Sequence, residues 1–224
     1  TSVLYHVGSK NENPERTGFA HFFEHLMFEG SENIDRGQYM NIIQSRGGTL
    51  NAYTSNDITY YYELLPSNEL ELALYMESER MLHSKVDITG VETQREVVKE
   101  ERRQRYENQP YGTILPETLV RAYQVHPYQW APIGSMDHLN AATIEEFQQF
   151  YKDFYVPNNA TLTIAGDIDY ATTEKLVRNY FSEIPKGAKE IYRPNVVEPK
   201  KTAEIRDIVY DNIQIPAVIQ AYNL

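Results

Sequence analysis

Two histidines and a glutamate within five residues carry the clearest chemical signal in this sequence. His21 and His25 are four positions apart, and Glu24 lies between them. If the segment is helical, the two imidazoles lie one turn apart on one face, and the carboxylate lies on the same side. Imidazole is a common zinc ligand, and a carboxylate beside a metal can act as a general base. The pattern therefore predicts a catalytic metal site.

A third ligand is needed, because zinc sites use at least three protein ligands. The chain has no cysteine, so the remaining ligand must be His, Asp or Glu. A helix predicted over about residues 91–106 offers several glutamates. Glu101 follows Val98 by three positions and Val97 by four, which places it on the apolar side, whereas Glu100 falls on a charged side. An inward carboxylate needs a partner, which favours Glu101.

The alternative interpretation of the motif is two histidines at the edge of the core and a surface glutamate. The surrounding residues argue against it, because most of them are large and apolar: Phe19, Phe22, Phe23, Leu26 and Phe28. Three polar groups on one stripe of such a helix would remain unpaired without an ion. A His, His, Glu set with an open fourth position favours Zn²⁺, one ion per chain.

Composition excludes several functional classes. The chain of 224 residues is 41% hydrophobic, enough for a folded core, and its net charge of −11 gives no support to nucleic-acid binding. A basic peptide is a more plausible partner. No apolar run approaches the roughly 18 residues of a membrane span. The absence of cysteine leaves the cellular compartment open.

The order of predicted elements indicates an α+β fold, with helices covering a mostly antiparallel or mixed β-sheet. Predicted strands cover residues 2–7, 49–55, 58–65, 159–166, 205–210 and 217–222. Predicted helices cover residues 18–30, 35–45, 66–83, 91–106, 113–124, 142–154 and 172–182. We expect one domain over residues 1–224, in which a Pro- and Lys-rich connector at 185–201 leads to closing strands within 205–224. Both ends fall in strand-like runs, so we expect a fragment of a longer polypeptide.

Several segments together resemble the M16, or pitrilysin/insulinase, family of zinc metallopeptidases. They are Gly18–Gly30 with the inverted His-x-x-Glu-His order, Gly47–Thr54 with Asn-Ala-Tyr-Thr, Glu100-Glu101-Arg102, His126–Gly134 and Asn158–Asp167. The resemblance covers nearly the whole chain. It indicates the N-terminal catalytic half of a processing-peptidase-like (M16B-type) member. It implies a domain like those of LuxS and the mitochondrial processing peptidase.

The resemblance also implies roles for individual residues. His21, His25 and Glu101 would be the zinc ligands, and Glu24 would be the general base that activates a zinc-bound water. An extended peptide would add to the strand that contains Asn51, Ala52 and Tyr53, which are the predicted substrate contacts. The family often has a glutamate seven residues before the third ligand. That position is Gln94 here, a neutral group that could still hydrogen-bond a ligating histidine.

The implied activity is zinc-dependent endopeptidase cleavage of peptides or of unfolded, presequence-like segments. Family members enclose substrate between two related halves. The second half would therefore lie on the same chain, on another subunit or on a second copy, and this chain alone would be weak or inactive. The alternative is a catalytically silent scaffold subunit that partners an active one. A structural ion is disfavoured, because no fourth ligand is evident. The resemblance to this family favours a location in the bacterial periplasm or another extracytoplasmic compartment.

Other candidate groups receive structural interpretations. The Pro-bounded loop with His126, Tyr128 and Trp130 is expected to fix the chain path. The cluster Arg102, Arg103 and Arg105 is interpreted as a solvated helix face. The remaining histidines lack metal spacing and are expected to be surface or structural residues: His6, His83 and His138.

Overall fold

An antiparallel sheet of four strands forms one layer of the fold in this computed structural model, which describes residues 1–222. The strands lie in the order β2-β3-β1-β4 and are β1 (Ser2–Tyr5), β2 (Thr49–Thr54), β3 (Thr59–Leu64) and β4 (Ala160–Thr163). All of the pairings between them are antiparallel. Strands β2 and β4 are therefore the edges of the described sheet.

Eight α-helices lie within residues 1–222. They are α1 (Phe19–Leu26), α2 (Gln38–Ser45), α3 (Leu70–His83), α4 (Ile88–Arg102), α5 (Ile114–Ala122), α6 (Met136–Ala141), α7 (Ile144–Phe154) and α8 (Tyr170–Phe181). None of these helices is both long and apolar enough to cross a bilayer. The combination of helices with an antiparallel sheet confirms the predicted α+β class.

The core lies between the inner face of the sheet and helix α1. Alternation along the strands places Val3, Tyr5 and Tyr61 on this face, and each is fully buried. Tyr61 also donates a hydrogen bond from its hydroxyl to the carbonyl of Phe23, at 2.9 Å, which ties β3 to α1. On the far side of α1, the ring of Phe147 lies 4.4 Å from that of Phe22. Helix α1 is thus held between the sheet and α7.

Several predicted boundaries differ from those in the structure. Helix α1 ends at Leu26 instead of near Gly30, because its last turn tightens: the amides of Phe28 and Glu29 bond carbonyls only three residues back. The helix predicted over 142–154 is preceded by a separate helix, α6. Thr143 starts α7 afresh with a capping box, in which its hydroxyl accepts from the amide of Glu146. The predicted hairpin of β2 and β3 is confirmed.

The closing strands predicted at 205–210 and 217–222 are not formed in this structure. Both segments carry strand-compatible side chains, but their apolar groups are exposed, as at Tyr210 (90%) and Val218 (87%). A favourable side-chain pattern does not form a strand unless another strand pairs with it. Residues 223 and 224, the end of the predicted closing run, lie outside the described residues.

A fully buried arginine lies beneath the sheet, enclosed by aromatic rings. The guanidinium carbon of Arg80 lies 4.7 Å from the ring centre of Phe28, 4.6 Å from that of Tyr39 and 4.4 Å from that of Tyr61. Cation–π contacts of this kind strengthen when the charge is removed from water. They stabilise a charge that would otherwise be costly to bury.

Two buried carboxyl groups share this single guanidinium. The Arg80 Nη2 atom lies 3.5 Å from Glu63 Oε1 and 3.6 Å from Glu77 Oε1, and all three side chains are fully buried. Burial, followed by the charge of Glu77, raises the pKa of Glu63 to about 8. Burial also raises the pKa of Glu77. The cluster is neutral when one of the two carboxyl groups keeps a proton.

We expect Glu63→Gln to flatten the pH dependence of stability. Because the folded-state pKa of Glu63 lies above the unfolded value, its stabilising contribution is complete in acid and is lost as the pH rises from about 5 to about 8. Each proton retained in the folded state changes the free energy of unfolding by at most ~1.4 kcal/mol per pH unit. A neutral amide has no such dependence, so the stability of Glu63→Gln relative to wild type should increase over this range. Urea unfolding at several pH values measures it.

Glu183→Gln is the matched control, since Glu183 is exposed and no described hydrogen bond or ion pair within residues 1–222 involves its side chain. It should follow the wild-type pH profile. Parallel profiles for wild type and Glu63→Gln would contradict a retained proton in the buried cluster.

Candidate metal centre

Helix α1 begins at a glycine and is capped by a distant carboxylate. Gly18 has φ of 99°, a conformation that residues with a side chain rarely adopt. Glycine has no side chain with which to cap the helix. Instead, Glu12 accepts hydrogen bonds from the amides of Gly18 (2.9 Å) and Ala20 (2.8 Å). Burial raises the pKa of Glu12 to about 8, although these amides and the Trp130 indole oppose that shift. When Glu12 is ionised, its negative charge also complements the helix dipole.

The loop at 126–134 connects the helix start to the rest of the site. The Trp130 indole N–H donates to Ser9 O (3.0 Å) and Glu12 Oε2 (3.2 Å). From helix α4, Arg102 Nε donates to the carbonyl of Gly134 at 3.0 Å. These internal contacts confirm that the loop fixes the chain path. They also link the start of α1 to the end of α4.

The same loop holds the turn of the hairpin. The Tyr128 hydroxyl donates to the Asp57 carboxylate at 2.8 Å, and Lys10 Nζ lies 2.5 Å from the same group. Burial, with the hydrogen bond to Asp57 next in effect, raises the pKa of Tyr128 to about 12, so it remains a donor. The ring of His126 stacks edge-on against Tyr128 at 4.4 Å. These contacts with Asp57 lie just beyond the end of β2.

Helix α4 presents Glu101 toward α1. Asp87 caps the start of α4 by accepting from the amide of Gly90 at 2.8 Å. Val98, one turn before Glu101, is fully buried, which confirms that part of the phase argument, whereas Val97 is 45% exposed and does not share the inner face. Glu100 points to solvent and pairs with a neighbouring arginine, as predicted.

Three potential ligand atoms converge between the two helices. Glu101 Oε2 lies 3.0 Å from His25 Nε2 and 3.6 Å from His21 Nε2, and all three ligand atoms are within 4.8 Å of one another. A tetrahedral zinc with bonds of 2.0–2.2 Å needs ligands about 3.4 Å apart. No other group of three or more such residues occurs within residues 1–222. The predicted ligand set is therefore brought together.

The donor set fits zinc in charge as well as in spacing. Burial acts to raise the pKa of Glu101, but hydrogen bonds with His21 and His25 outweigh it and hold the pKa well below its usual range. Glu101 is therefore an anionic ligand near neutral pH. Two imidazole nitrogens, one carboxylate oxygen and no fourth protein ligand among residues 1–222 match an open, catalytic type of zinc site.

Glu24 precedes His25 on helix α1, and its carboxylate is oriented by the sheet. Its Oε2 atom accepts a hydrogen bond from the Thr54 hydroxyl at 2.7 Å. No described hydrogen bond within residues 1–222 uses its other carboxylate oxygen. Thr54 is the last residue of β2, and the sequence-based assignment did not include it. Its place directly after the predicted substrate contacts, on the inner side of the strand, was the available signal.

The predicted substrate contacts lie on the edge strand β2. Asn51 and Tyr53 point to the outer face, where Tyr53 is 49% exposed. The ring centre of Tyr53 lies 5.3 Å from that of Tyr60. Ala52 points inward and packs against the core. The strand has a free edge within the described sheet. Contact between these residues and a substrate remains a prediction.

Gln94 has a different partner from the one that the motif suggests. Its amide nitrogen donates to the carboxylate of Glu29, which also pairs with Arg36. A glutamate at position 94 would bring two carboxylates together here. The hydrogen bond to a ligating histidine stays a prediction, because Gln94 Oε1 and His21 Nδ1 are both buried and have no partner among residues 1–222.

Comparison with known families gives two matches that together cover most of the chain. The sequence profile of Insulinase (Peptidase family M16) matches residues 1–131, and that of the Peptidase M16 inactive domain matches residues 141–224. The zinc protease PqqE of Helicobacter pylori is 33% identical over 99% of this chain and 50% of its own length. A probable mitochondrial-processing peptidase subunit beta of Schizosaccharomyces pombe is 28% identical over 83% of this chain and 40% of its own.

Solved structures give the same picture. A protease from Helicobacter pylori superposes with a TM-score of 0.85 at 35% identity, covering 88% of this chain and 48% of that one. The first half of the periplasmic protease PqqL from Escherichia coli superposes with a TM-score of 0.75 at 28% identity, covering 89% and 43%. The chain spans about half the length of the curated relatives it matches.

We expect His21→Ala to weaken zinc binding by on the order of a hundredfold. Four-ligand zinc sites bind with about 10–16 kcal/mol, so each ligand carries a share of several kcal/mol. Competition with a chromophoric chelator measures the affinity, and circular dichroism checks the fold. His6→Ala, which changes an exposed histidine, should bind like wild type. Undiminished binding by His21→Ala would place the metal elsewhere.

Proposed function

Because the chain belongs to peptidase family M16, the insulinase family, we propose that it is the zinc-binding half of a zinc-dependent endopeptidase. The observation that carries this proposal is the convergence of His21, His25 and Glu101, with Glu24 beside them on the same helix. Both named relatives in this family comparison are peptidases, and PqqE is a zinc protease. The proposed reaction is hydrolysis of a peptide bond.

Each residue of the centre has a distinct task. Zinc held by His21, His25 and Glu101 would supply a Lewis acid that polarises the scissile carbonyl and makes water more acidic. Glu24 would take the proton from the attacking water and pass it to the departing amine. The hydrogen bond from Thr54 occupies one carboxylate oxygen of Glu24 and leaves the other for the proton.

The substrate class follows from the edge strand. An extended peptide that adds to β2 gains main-chain hydrogen bonds with little demand on sequence. Asn51, Ala52 and Tyr53 would line the added strand, and Thr54 would bring it to Glu24. Only extended chains can pair in this way, which favours peptides and unfolded, presequence-like segments. The net charge of −11 favours basic substrates.

We propose that residues 1–224 form one metal-binding domain. The two matched regions share a core, since the Phe147 ring on α7 lies 4.5 Å from that of Phe19 on α1. Strand β4, from the second region, pairs with β1 from the first. A core and a sheet that both regions share are properties of one domain.

A second half would complete the enzyme. The curated relatives are about twice as long as this chain, and the solved PqqL structure is named as a first half. We propose that a second M16-like half, on the same chain, on another subunit or on a second copy, encloses the substrate, and that this chain alone is weakly active. An extracytoplasmic compartment is part of the proposal, because the PqqL relative is periplasmic. A silent scaffold role is the alternative outcome.

We expect Glu24→Gln to abolish peptide cleavage while zinc binding persists. The amide cannot accept a proton, and general base catalysis typically contributes about 10²–10⁴-fold. Cleavage of an unstructured basic peptide is compared for this chain alone, for the longer polypeptide that includes it, and for Glu24→Gln in that polypeptide. Full activity of Glu24→Gln would refute the mechanism, whereas zinc binding without wild-type cleavage would favour the scaffold role.

We expect Thr54→Val to lower kcat by about tenfold, since it removes the hydrogen bond that orients Glu24. KM and zinc content should stay close to wild type, because the Thr54 side chain lies on the inner face of β2, opposite Asn51 and Tyr53, and its described hydrogen bond goes to Glu24 and not to a predicted ligand. Thr54→Ser restores the hydroxyl and should restore kcat. Thr49→Val, at the far end of the same strand, is the control. Equal kcat losses in Thr49→Val and Thr54→Val would show that only strand stability matters.

A further inference from the structure

Two arginines that follow Glu101 form ion pairs of the same chemistry but with different neighbours. Arg103 Nη1 lies 3.1 Å from Oε2 of the solvent-facing Glu100. Arg105 Nη1 lies 3.0 Å from Oε1 of Glu101, the predicted third ligand. The interpretation of this cluster as a solvated face is therefore incomplete. It describes Arg103, whereas Arg105 reaches back to the metal centre.

The backbone changes form where Arg105 is located. Helix α4 passes after Arg102 into a π-helical turn over Arg103–Glu107, closed by a 2.7 Å hydrogen bond from the amide of Asn108 to the carbonyl of Arg103. Such wide turns are rare and are frequently found at functional sites. This turn lies directly after the ligand-bearing end of α4.

The carboxylate of Glu101 is divided between two sets of partners. Oε2 faces the two imidazole nitrogens, and Oε1 faces Arg105. We propose that Arg105 is a positioning residue that holds Oε1 and so presents Oε2 alone to the metal. A carboxylate held in this way takes up one coordination position and leaves the open position clear. The inference rests on the proposed metal centre and adds a residue that the motif does not include.

A role in folding does not account for the Arg105 contact. The Arg105 side chain is 69% exposed, and exposed ion pairs contribute little to stability. Replacing Arg105 should therefore leave the fold intact while it frees the carboxylate to rotate. Partners that hold a ligand in this way typically change metal affinity or activity by 10–100-fold when they are lost.

Whether replacing Arg105 weakens or strengthens zinc binding distinguishes a positioning role from a purely electrostatic one. Removing a positive charge near a cation site strengthens cation binding by Coulomb's law. Loss of a positioning contact weakens it instead. Arg105→Gln and Arg103→Gln remove the same charge from neighbouring positions, and only the first removes a contact with a ligand. Arg103→Gln is therefore a matched control.

The experiment measures Zn²⁺ affinity of the 224-residue chain by chelator competition, together with thermal unfolding of the metal-free protein. We expect about tenfold weaker binding for Arg105→Gln, partial recovery for Arg105→Lys, and wild-type or slightly tighter binding for Arg103→Gln. All variants should unfold at the wild-type temperature.

Each other outcome overturns a specific statement. Binding by Arg105→Gln at or above wild-type affinity would overturn the positioning role. A lowered unfolding temperature for Arg105→Gln would also overturn it, by showing a structural role. If the wild-type chain binds no zinc, the proposed metal centre fails first, and the inference fails with it.

Discussion

The contact between α1 and α4 is the interaction on which the site depends. It places the Glu101 carboxylate against the imidazoles of His21 and His25, at the boundary of the apolar cluster between the sheet and α1. The helices run in opposite directions, since Gln94, two turns before Glu101, reaches the residues that follow α1. Burying part of a carboxylate costs free energy unless the group is paired, and two imidazoles together with a cation would supply its partners. The same contact that closes the core therefore brings the predicted metal ligands together.

Distant segments hold this contact in place. Glu12 caps α1 in place of a residue next to the helix, and the loop at 126–134 joins that cap to the end of α4 through Trp130 and Arg102. Strand β2 approaches from the other side, where Thr54 orients Glu24. Precise geometry at such sites depends on contacts of this kind, because a ligand held by its backbone alone keeps its side-chain rotations.

Much of the site could be predicted from local sequence. Residues four apart on a helix must share a face, so the grouping of His21 and His25 needs only the helix itself. The structure places Glu101 against the histidines and Glu100 in solvent, as the helix phase predicted, although Val97, one support of that argument, is exposed. Burial of a single valine one turn away was enough, since one inward residue fixes the phase of a helix. The strands expected after residue 205 show the limit of such reasoning, because a strand also needs a partner.

The sequence by itself determined the α+β class, the hairpin and the types and spacing of the predicted metal ligands, because these follow from short-range periodicity. Tertiary structure alone decided which side chains orient those groups. The Arg105 pair with Glu101 is local, but Arg105 lies within a π-helical turn that side-chain periodicity does not specify. The Glu12 cap spans eight residues, whereas the Thr54 hydrogen bond to Glu24 and the pairing of Gln94 with Glu29 join residues 30 and 65 positions apart. Contacts between distant segments depend on how elements pack, which no local pattern encodes.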